Sequence, residues 1–201
     1  YLGRTIGGHF EILSVLAHGG HGLVFLVRHT KLTHRNVFAL KLLRPELSRN
    51  PEFRKRFLRE AEIVYSFSHP NIVPIREFAE TEGGELFFTM DFCKGRTLEE
   101  AMKEERRFPL PRALRIAQDI LKGLDFAHRH GIIHRDLKPA NIFLQEGPEG
   151  ETARILDFGI AKPFEGSAFE VTKSGKIIGT PLYMSPEQIM GKPLDARSDL
   201  Y

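Results

Sequence analysis

Apolar and polar positions alternate in short runs over about the first ninety residues. Residues 10–17, 23–27 and 37–43 are β-branched or aromatic stretches separated by Gly and polar breaks, and they predict strands. Residues 51–67 change to a helical period. At about 100° per residue, Phe53, Phe57, Val64 and Phe67 fall on one face. Residues 75–78 and 86–92 predict two more strands across a Gly83-Gly84 turn. After Gly95 the pattern turns helical. Thr97-Leu98-Glu99-Glu100 is a capping box that opens a short helix. Residues 111–130 follow with Pro111 in the first turn, where a missing N–H costs nothing. Their apolar stripe is Ala113, Ile116, Ala117, Ile120, Leu121, Leu124 and Ala127. Short strands and long loops are expected beyond Gly131. The class is α+β, with a sheet-rich part over 1–94 and a mainly helical part over 95–201.

Composition narrows the picture without naming a chemistry. The chain has 201 residues, 41% hydrophobic and 27% charged, which fits a folded globular protein and excludes disordered, collagenous and coiled-coil classes. The single cysteine, Cys93, excludes an internal disulfide framework. No apolar run approaches the roughly 18–20 residues of a membrane helix, and no secretory leader is visible. The net charge of +3 comes without a long basic block, so nucleic acid is not an expected partner. The cluster Arg54-Lys55-Arg56 with Arg59 is read as a solvated helix face.

Two features of the sheet-rich part carry candidate chemistry. Gly19, Gly20 and Gly22 lie between the first two long strands, in Ala17-His18-Gly19-Gly20-His21-Gly22-Leu23-Val24. Such a turn lets backbone N–H groups approach a phosphate; an ordinary Gly-rich hairpin is the alternative. Its place between two strands argues against a strand-to-helix dinucleotide turn or P-loop. Lys41 stands in an apolar strand, on the same side as Val37 and Ala39, and needs a partner there. Glu60 falls within the apolar arc of the 51–67 helix, whereas Glu62 points away. Glu60 is therefore the expected partner of Lys41. A local surface pair such as Arg56–Glu60 is the alternative.

Two loops complete the set. One is His134-Arg135-Asp136-Leu137-Lys138-Pro139-Ala140-Asn141, the other Asp157-Phe158-Gly159. With the two earlier features, in this order, they resemble the protein kinase signature set. From about residue 8 to 201 the chain resembles eukaryotic-type (Hanks-type) serine/threonine protein kinases. The forms Gly19-Gly20-His21-Gly22 and Ile178-Gly179-Thr180-Pro181-Leu182-Tyr183-Met184-Ser185-Pro186-Glu187 are similar to those of bacterial members.

The resemblance implies a bilobal fold, with the small lobe over 1–94 and part of the large lobe over 95–201. It implies ATP and Mg²⁺ as cofactors and protein Ser/Thr hydroxyls as acceptors. Asp136 matches the group that orients the hydroxyl, and Lys138 the cation beside the transferring phosphoryl group. Asn141 and Asp157 match the Mg²⁺ ligands. Lys41 matches the lysine on the α/β-phosphates, with Glu60 its helical partner, and the three glycines match the loop over the phosphates. Ala17 departs from the family's first glycine. Val24 and Ala39, together with Phe143, match the adenine-contacting positions. Residues 91–93, including Asp91 and Cys93, match the hinge, with Met90 guarding an inner pocket. Arg135, Thr172, Ser174 and Thr180 match regulatory positions, Thr172 and Ser174 as candidate phosphosites and Thr180 packing on the catalytic loop. His134 is expected to position that loop, and Asp199 to tie the following helix to it. His18, His21, His128 and His130 are read as solvated or hydrogen-bonded groups, not as metal ligands.

A nucleotide-binding pseudokinase or scaffold is the alternative; the presence of Lys41, Asp136, Asn141 and Asp157 counts against it. A cytoplasmic location follows from the need for ATP, and membrane anchoring of a longer parent is left open. The chain starts without Met and stops near the start of the large lobe's central helix. The expectation is a fragment that is poorly stable or inactive alone.

Overall fold

The computed structural model describes residues 2–20, 22–148, 150–158 and 181–201. The chain divides into two compact units, Tyr1–Ser66 with Pro74–Phe92, and Phe67–Val73 with Cys93–Tyr201.

In the first unit, β1 (Thr5–Ile6), β2 (Phe10–Gly19), β3 (Gly22–His29), β4 (Val37–Leu43), β5 (Ile75–Glu80) and β6 (Leu86–Asp91) form one antiparallel sheet. Their order is β1-β2-β3-β4-β6-β5. The pleat sorts the side chains into two sets. Phe10, Ile12, Phe25, Val27, Leu40 and Phe87 form a buried cluster on one face. The register places Val24 opposite Lys41, Lys41 opposite Phe88, and Ala39 opposite Met90 on the other. Helix α1 (Pro45–Arg49) leads directly into α2 (Pro51–Tyr65). Asn50 caps α2 by accepting the Phe53 N–H at 3.0 Å, and Pro51 sits where no N–H is needed. Phe57 of α2 meets Phe78 edge-on at 5.7 Å and lies 6.4 Å from Phe88, so α2 covers the face that carries Lys41.

The helix stops short of the expected residue 67. Ser66 donates its hydroxyl to the Ile63 carbonyl at 2.7 Å and its N–H to the same oxygen, closing the last turn. Phe67 is then not on the α2 face; Ala61 takes its place among the buried residues of that helix.

In the second unit, β7 (Gly95–Thr97), β8 (Ile142–Gly147) and β9 (Gly150–Ile155) make a small antiparallel sheet. Helices α3 (Leu98–Glu105), α4 (Leu110–Arg129) and α5 (Pro186–Ile189) accompany it. The expected capping box opens α3: the Thr97 hydroxyl accepts the Glu100 N–H at 3.2 Å, and Glu100 accepts the Thr97 N–H at 2.7 Å. The Thr97 N–H and, at 2.9 Å, the Thr97 hydroxyl both donate to the Glu100 carboxyl and hold it below its usual range.

Helix α4 buries Ile116, Gly123, Leu124 and Ala127. Ala117 and Leu121, expected on the core face, are exposed. The stripe follows residue type, but burial follows where β9 and residues 67–73 reach the helix. Gly123 marks that approach, since a Cβ there would lie 3.0 Å from the Asn71 carbonyl oxygen. Asn71 donates its side-chain amide to the Ala153 carbonyl at 3.0 Å. The Ile155 N–H in turn reaches the Asn71 carbonyl at 2.8 Å. Phe67 packs edge-on against Phe126 at 5.2 Å and Phe158 at 5.8 Å. Near the end, Ala196–Asp199 is a 3₁₀ turn rather than the expected first turn of an α-helix. Among the described residues no helix is long and apolar enough to cross a membrane.

Candidate active site

Each unit gathers its own share of the expected residues. In the first, Lys41 is buried at 8% exposure. Its Nζ lies 5.9 Å from the centre of the Phe88 ring, a stacking that favours a cation in an apolar setting. Val24 faces it across the sheet, and Ala39 precedes it on the same side of β4. Glu60 is half-buried on α2, the helix that covers this face, while Glu62 is exposed. Met90 is buried beside Ala39. Asp91 is gripped by Arg76 through two hydrogen bonds of 2.6 Å.

The glycines of the β2–β3 turn answer to different constraints. Gly22 pairs with Gly19 across the hairpin. A Cβ on Gly22 would lie 2.0 Å from the Leu42 carbonyl oxygen, so close strand contact alone demands glycine there. Around Gly20 the space is open.

In the second unit the loop between α4 and β8 is held by its own backbone. Asp199, 1% exposed at its side chain, accepts the N–H groups of His134 at 2.7 Å and Arg135 at 2.8 Å. His128 meets the same carboxylate through Nε2 at 2.7 Å. His134 is fully buried. Its Nε2 faces the Leu156 carbonyl at 2.9 Å, and its Nδ1 faces the Asp136 N–H at 3.2 Å. A carbonyl only accepts and a backbone N–H only donates, so these partners assign the proton to Nε2 and leave Nδ1 as acceptor. Burial pushes the imidazole pKa below its ordinary value and keeps it neutral.

Asp136 emerges from this frame. Its Oδ2 lies 2.9 Å from Lys138 Nζ and accepts the Asn141 amide at 3.0 Å. The same amide reaches the Asp136 carbonyl at 2.8 Å. The Asn141 backbone carbonyl accepts the Leu156 N–H at 2.9 Å, which brings the residue before Asp157 alongside Asn141. Asp157 has φ of 50°, a left-handed turn that re-aims the chain at that point. Phe158 is buried, with its ring 5.2 Å from His134. Phe143 stands half-buried on β8, opposite Thr97 and Arg154. Cys93 Sγ receives Arg154 Nη1 at 3.9 Å.

Asn141 directs its amide nitrogen at Asp136, so its Oδ1 is the donor a cation would use. Together with the Asp157 carboxylate this is a hard-oxygen set, which fits Mg²⁺ and suits no soft metal. His21, Gly159, Thr172, Ser174 and Thr180 lie outside the described residues.

Four contributors carried little or no signal. Gln188 accepts the Ser185 N–H at 2.9 Å and donates to the Arg135 carbonyl at 2.7 Å. Its capping-box spacing from Ser185 is readable in the sequence, but the second contact is not. His128 and Asn71 act on residues 71 and 82 positions away, beyond any local pattern. Glu187 accepts the Ser198 hydroxyl, which holds its carboxyl below the usual range.

A family model described as the protein kinase domain matches residues 10–201. The serine/threonine-protein kinase PknB of Mycolicibacterium smegmatis is 39% identical over 201 residues, covering 98% of this chain and 31% of that protein. The serine/threonine-protein kinase pkn3 of Myxococcus xanthus is 38% identical over 204 residues, covering 100% of this chain and 37% of that protein. The chain thus spans only about a third of the length of these curated relatives. Among solved structures, the PknI kinase domain of Mycobacterium tuberculosis is similar, with a TM-score of 0.78 at 30% identity, covering 100% of this chain and 71% of that one.

Proposed function

This chain belongs to the protein kinase family, and from that premise we propose that it transfers the γ-phosphoryl group of ATP to Ser or Thr hydroxyls of protein substrates. The observation that carries the reading is the setting of Asp136. Its carboxylate is pinned between Lys138 at 2.9 Å and the Asn141 amide at 3.0 Å, on a loop whose backbone is held from the buried side.

Asp136 orients the acceptor hydroxyl and takes its proton as the new P–O bond forms and the bond to the leaving diphosphate breaks. Lys138 sets its positive charge beside Asp136, where negative charge on the transferring group is stabilised without reorganisation. Asn141 and Asp157 supply the oxygens that hold Mg²⁺, and the cation, when bound, neutralises phosphate charge. Lys41 contacts the α/β-phosphates, with Glu60 as its partner. Gly19, Gly20 and Gly22 bring backbone N–H groups to the phosphates. Val24, Ala39, Asp91, Cys93 and Phe143 serve the adenine. The two units correspond to the nucleotide-binding lobe and the catalytic lobe, and the protein works in the cytoplasm, where ATP is supplied. Phosphorylation at Thr172 or Ser174 raises activity, its added charge answered by Arg135, and Thr180 supports Ser/Thr specificity.

The test is phosphate transfer by the intact protein beside an Asp136→Asn control, with Mg-ATP binding measured on both. Transfer by the wild type alone supports the reading. Equal binding with transfer by neither would discard it.

A further inference from the structure

The peptide joining Arg135 to Asp136 sets where the Asp136 side chain begins, and it leaves a strained residue. Arg135 has φ of 64°, in the left-handed region. A non-glycine residue stays there only when its surroundings hold it. The N–H of Arg135 is held by Asp199 at 2.8 Å. The N–H of Asp136, the next along, is held by His134 Nδ1 at 3.2 Å. The carbonyl of that same Arg135–Asp136 peptide accepts Nε2 of Gln188 at 2.7 Å.

Gln188 cannot swing freely. Its Oε1 accepts the Ser185 N–H at 2.9 Å, and its own N–H reaches the Ser185 hydroxyl at 3.4 Å. This is the capping box of α5. The partners fix the amide in one orientation, oxygen toward Ser185 and nitrogen toward Arg135. A capping box asks only for an acceptor at this position, and glutamate fills that role as well as glutamine. The donor on Nε2 is surplus to the cap, and it goes to the peptide that carries Asp136.

We propose that Gln188 is a positioning residue for Asp136. Through the Arg135 carbonyl it holds the Arg135–Asp136 peptide in the plane that aims the carboxylate, and it couples the segment around Ser185 to the catalytic loop. The inference rests on the phosphoryl-transfer reading and adds to it a residue that acts through another. A peptide free to rotate would displace Asp136 Cβ, and misplacement near 1 Å is enough to slow a positioned reaction by about 10²-fold.

Glutamate separates the two jobs of Gln188. Gln188→Glu keeps the acceptor for the Ser185 N–H but, when ionised, has no proton for the Arg135 carbonyl. Gln188→Ala loses both. In the intact protein, with wild type and Asp136→Asn alongside, kcat of Gln188→Glu near neutral pH should fall about ten- to hundredfold. KM for ATP should stay within about twofold, and the melting temperature should fall less than in a variant that fails to fold, because the glutamate carboxylate then faces the Arg135 carbonyl, acceptor to acceptor. Acidification toward the carboxyl range, about pH 4–5, restores a donor to the glutamate and not to the alanine. The ratio of Gln188→Glu to Gln188→Ala activity should therefore rise as pH falls. Amide exchange at Arg135 and Asp136 should be faster in both variants, a readout that needs no transfer.

A wild-type kcat in Gln188→Glu, or a loss whose ratio to Gln188→Ala stays flat with pH, would overturn the positioning role while leaving the kinase reading intact. Wild type no faster than Asp136→Asn would instead overturn the reading on which the role depends, and unchanged amide exchange would independently reject the clamp.

Discussion

Nδ1 of His134 accepts the backbone N–H of Asp136 at 3.2 Å, while Nε2 of the same ring donates to the Leu156 carbonyl at 2.9 Å. The ring thus ties the loop that carries Asp136 to the strand end that leads into Asp157, and it does so only when neutral. Protonation would set an N–H on Nδ1 against the N–H of Asp136, donor to donor.

Acid should therefore loosen this frame. Burial lowers the folded-state pKa of His134, so the unfolded chain binds the proton more readily. Stability is retained above the unfolded histidine value of about 6.5 and falls as pH drops through it. The decline is at most about 1.4 kcal/mol per pH unit for this one group, and it levels off below the folded pKa. His134→Gln keeps a donor and an acceptor without titrating. It should be less stable than wild type at pH 8 yet lose less between pH 8 and pH 5. Urea midpoints at the two pH values check this, and parallel losses would reject it. His29 and His69, also lowered by burial, are common to both proteins and cancel in the comparison.

Asp199→Asn should cost about 2–3 kcal/mol of stability. The carboxylate accepts two backbone N–H groups and His128. An amide can accept only through one oxygen and turns an NH₂ toward a donor. Chemical denaturation measures the loss, and a change under about 0.5 kcal/mol, typical of an unremarkable surface site, would count against the role assigned to Asp199.

Lys41 and Glu60 should couple. A double-mutant cycle with Lys41→Met and Glu60→Gln is expected to show about 1 kcal/mol or more of interaction energy. Transfer by Lys41→Met should fall by about 10²-fold or more. Additive stabilities would dismiss the pairing, whatever the activity.

Gly22→Ala should destabilise the first unit by about 1–3 kcal/mol, because the added methyl meets the Leu42 carbonyl. Gly20→Ala, in open space, should leave the melt unchanged and alter only nucleotide affinity. Thermal melts with and without Mg-ATP distinguish the two. Equal melts for both variants would show that β3 and β4 can separate at that point.

Much of this was legible because local patterns report local structure. The Thr97 capping box, the strand at Val37–Leu43 and the burial difference between Glu60 and Glu62 follow from spacing alone. What failed needed a distant partner. Leu121 and Ala117 belong to the apolar stripe of α4, but no period tells which residues β9 will reach. Phe67 fits the α2 face by angle, yet the Ser66 hydroxyl ends the helix first. In the candidate site, residue types single out Asp136, Lys138 and Asn141, and the fold brings the three side chains together. Of the frame around them, made across long separations, the resemblance pointed to Asp199, while the contacts of His128 and Gln188 are invisible until the chain is folded.

The short stretch Phe67–Val73 has a consequence for how the molecule can be divided. It counts with the second unit, through Phe67 against Phe126, Asn71 on β9 and the Val73 N–H on the Ile155 carbonyl at 3.0 Å. Yet along the chain it lies between two segments of the first. The chain crosses from one unit to the other three times, after Ser66, Val73 and Phe92. A cut at the compositional boundary near Gly95 would leave this plug on the wrong fragment. The later piece would then keep the loop that carries Asp136 and lose the packing behind β9. Genetic splitting, domain grafting or piecewise expression of this protein must therefore carry residues 67–73 with the later piece, although they come earlier in the chain.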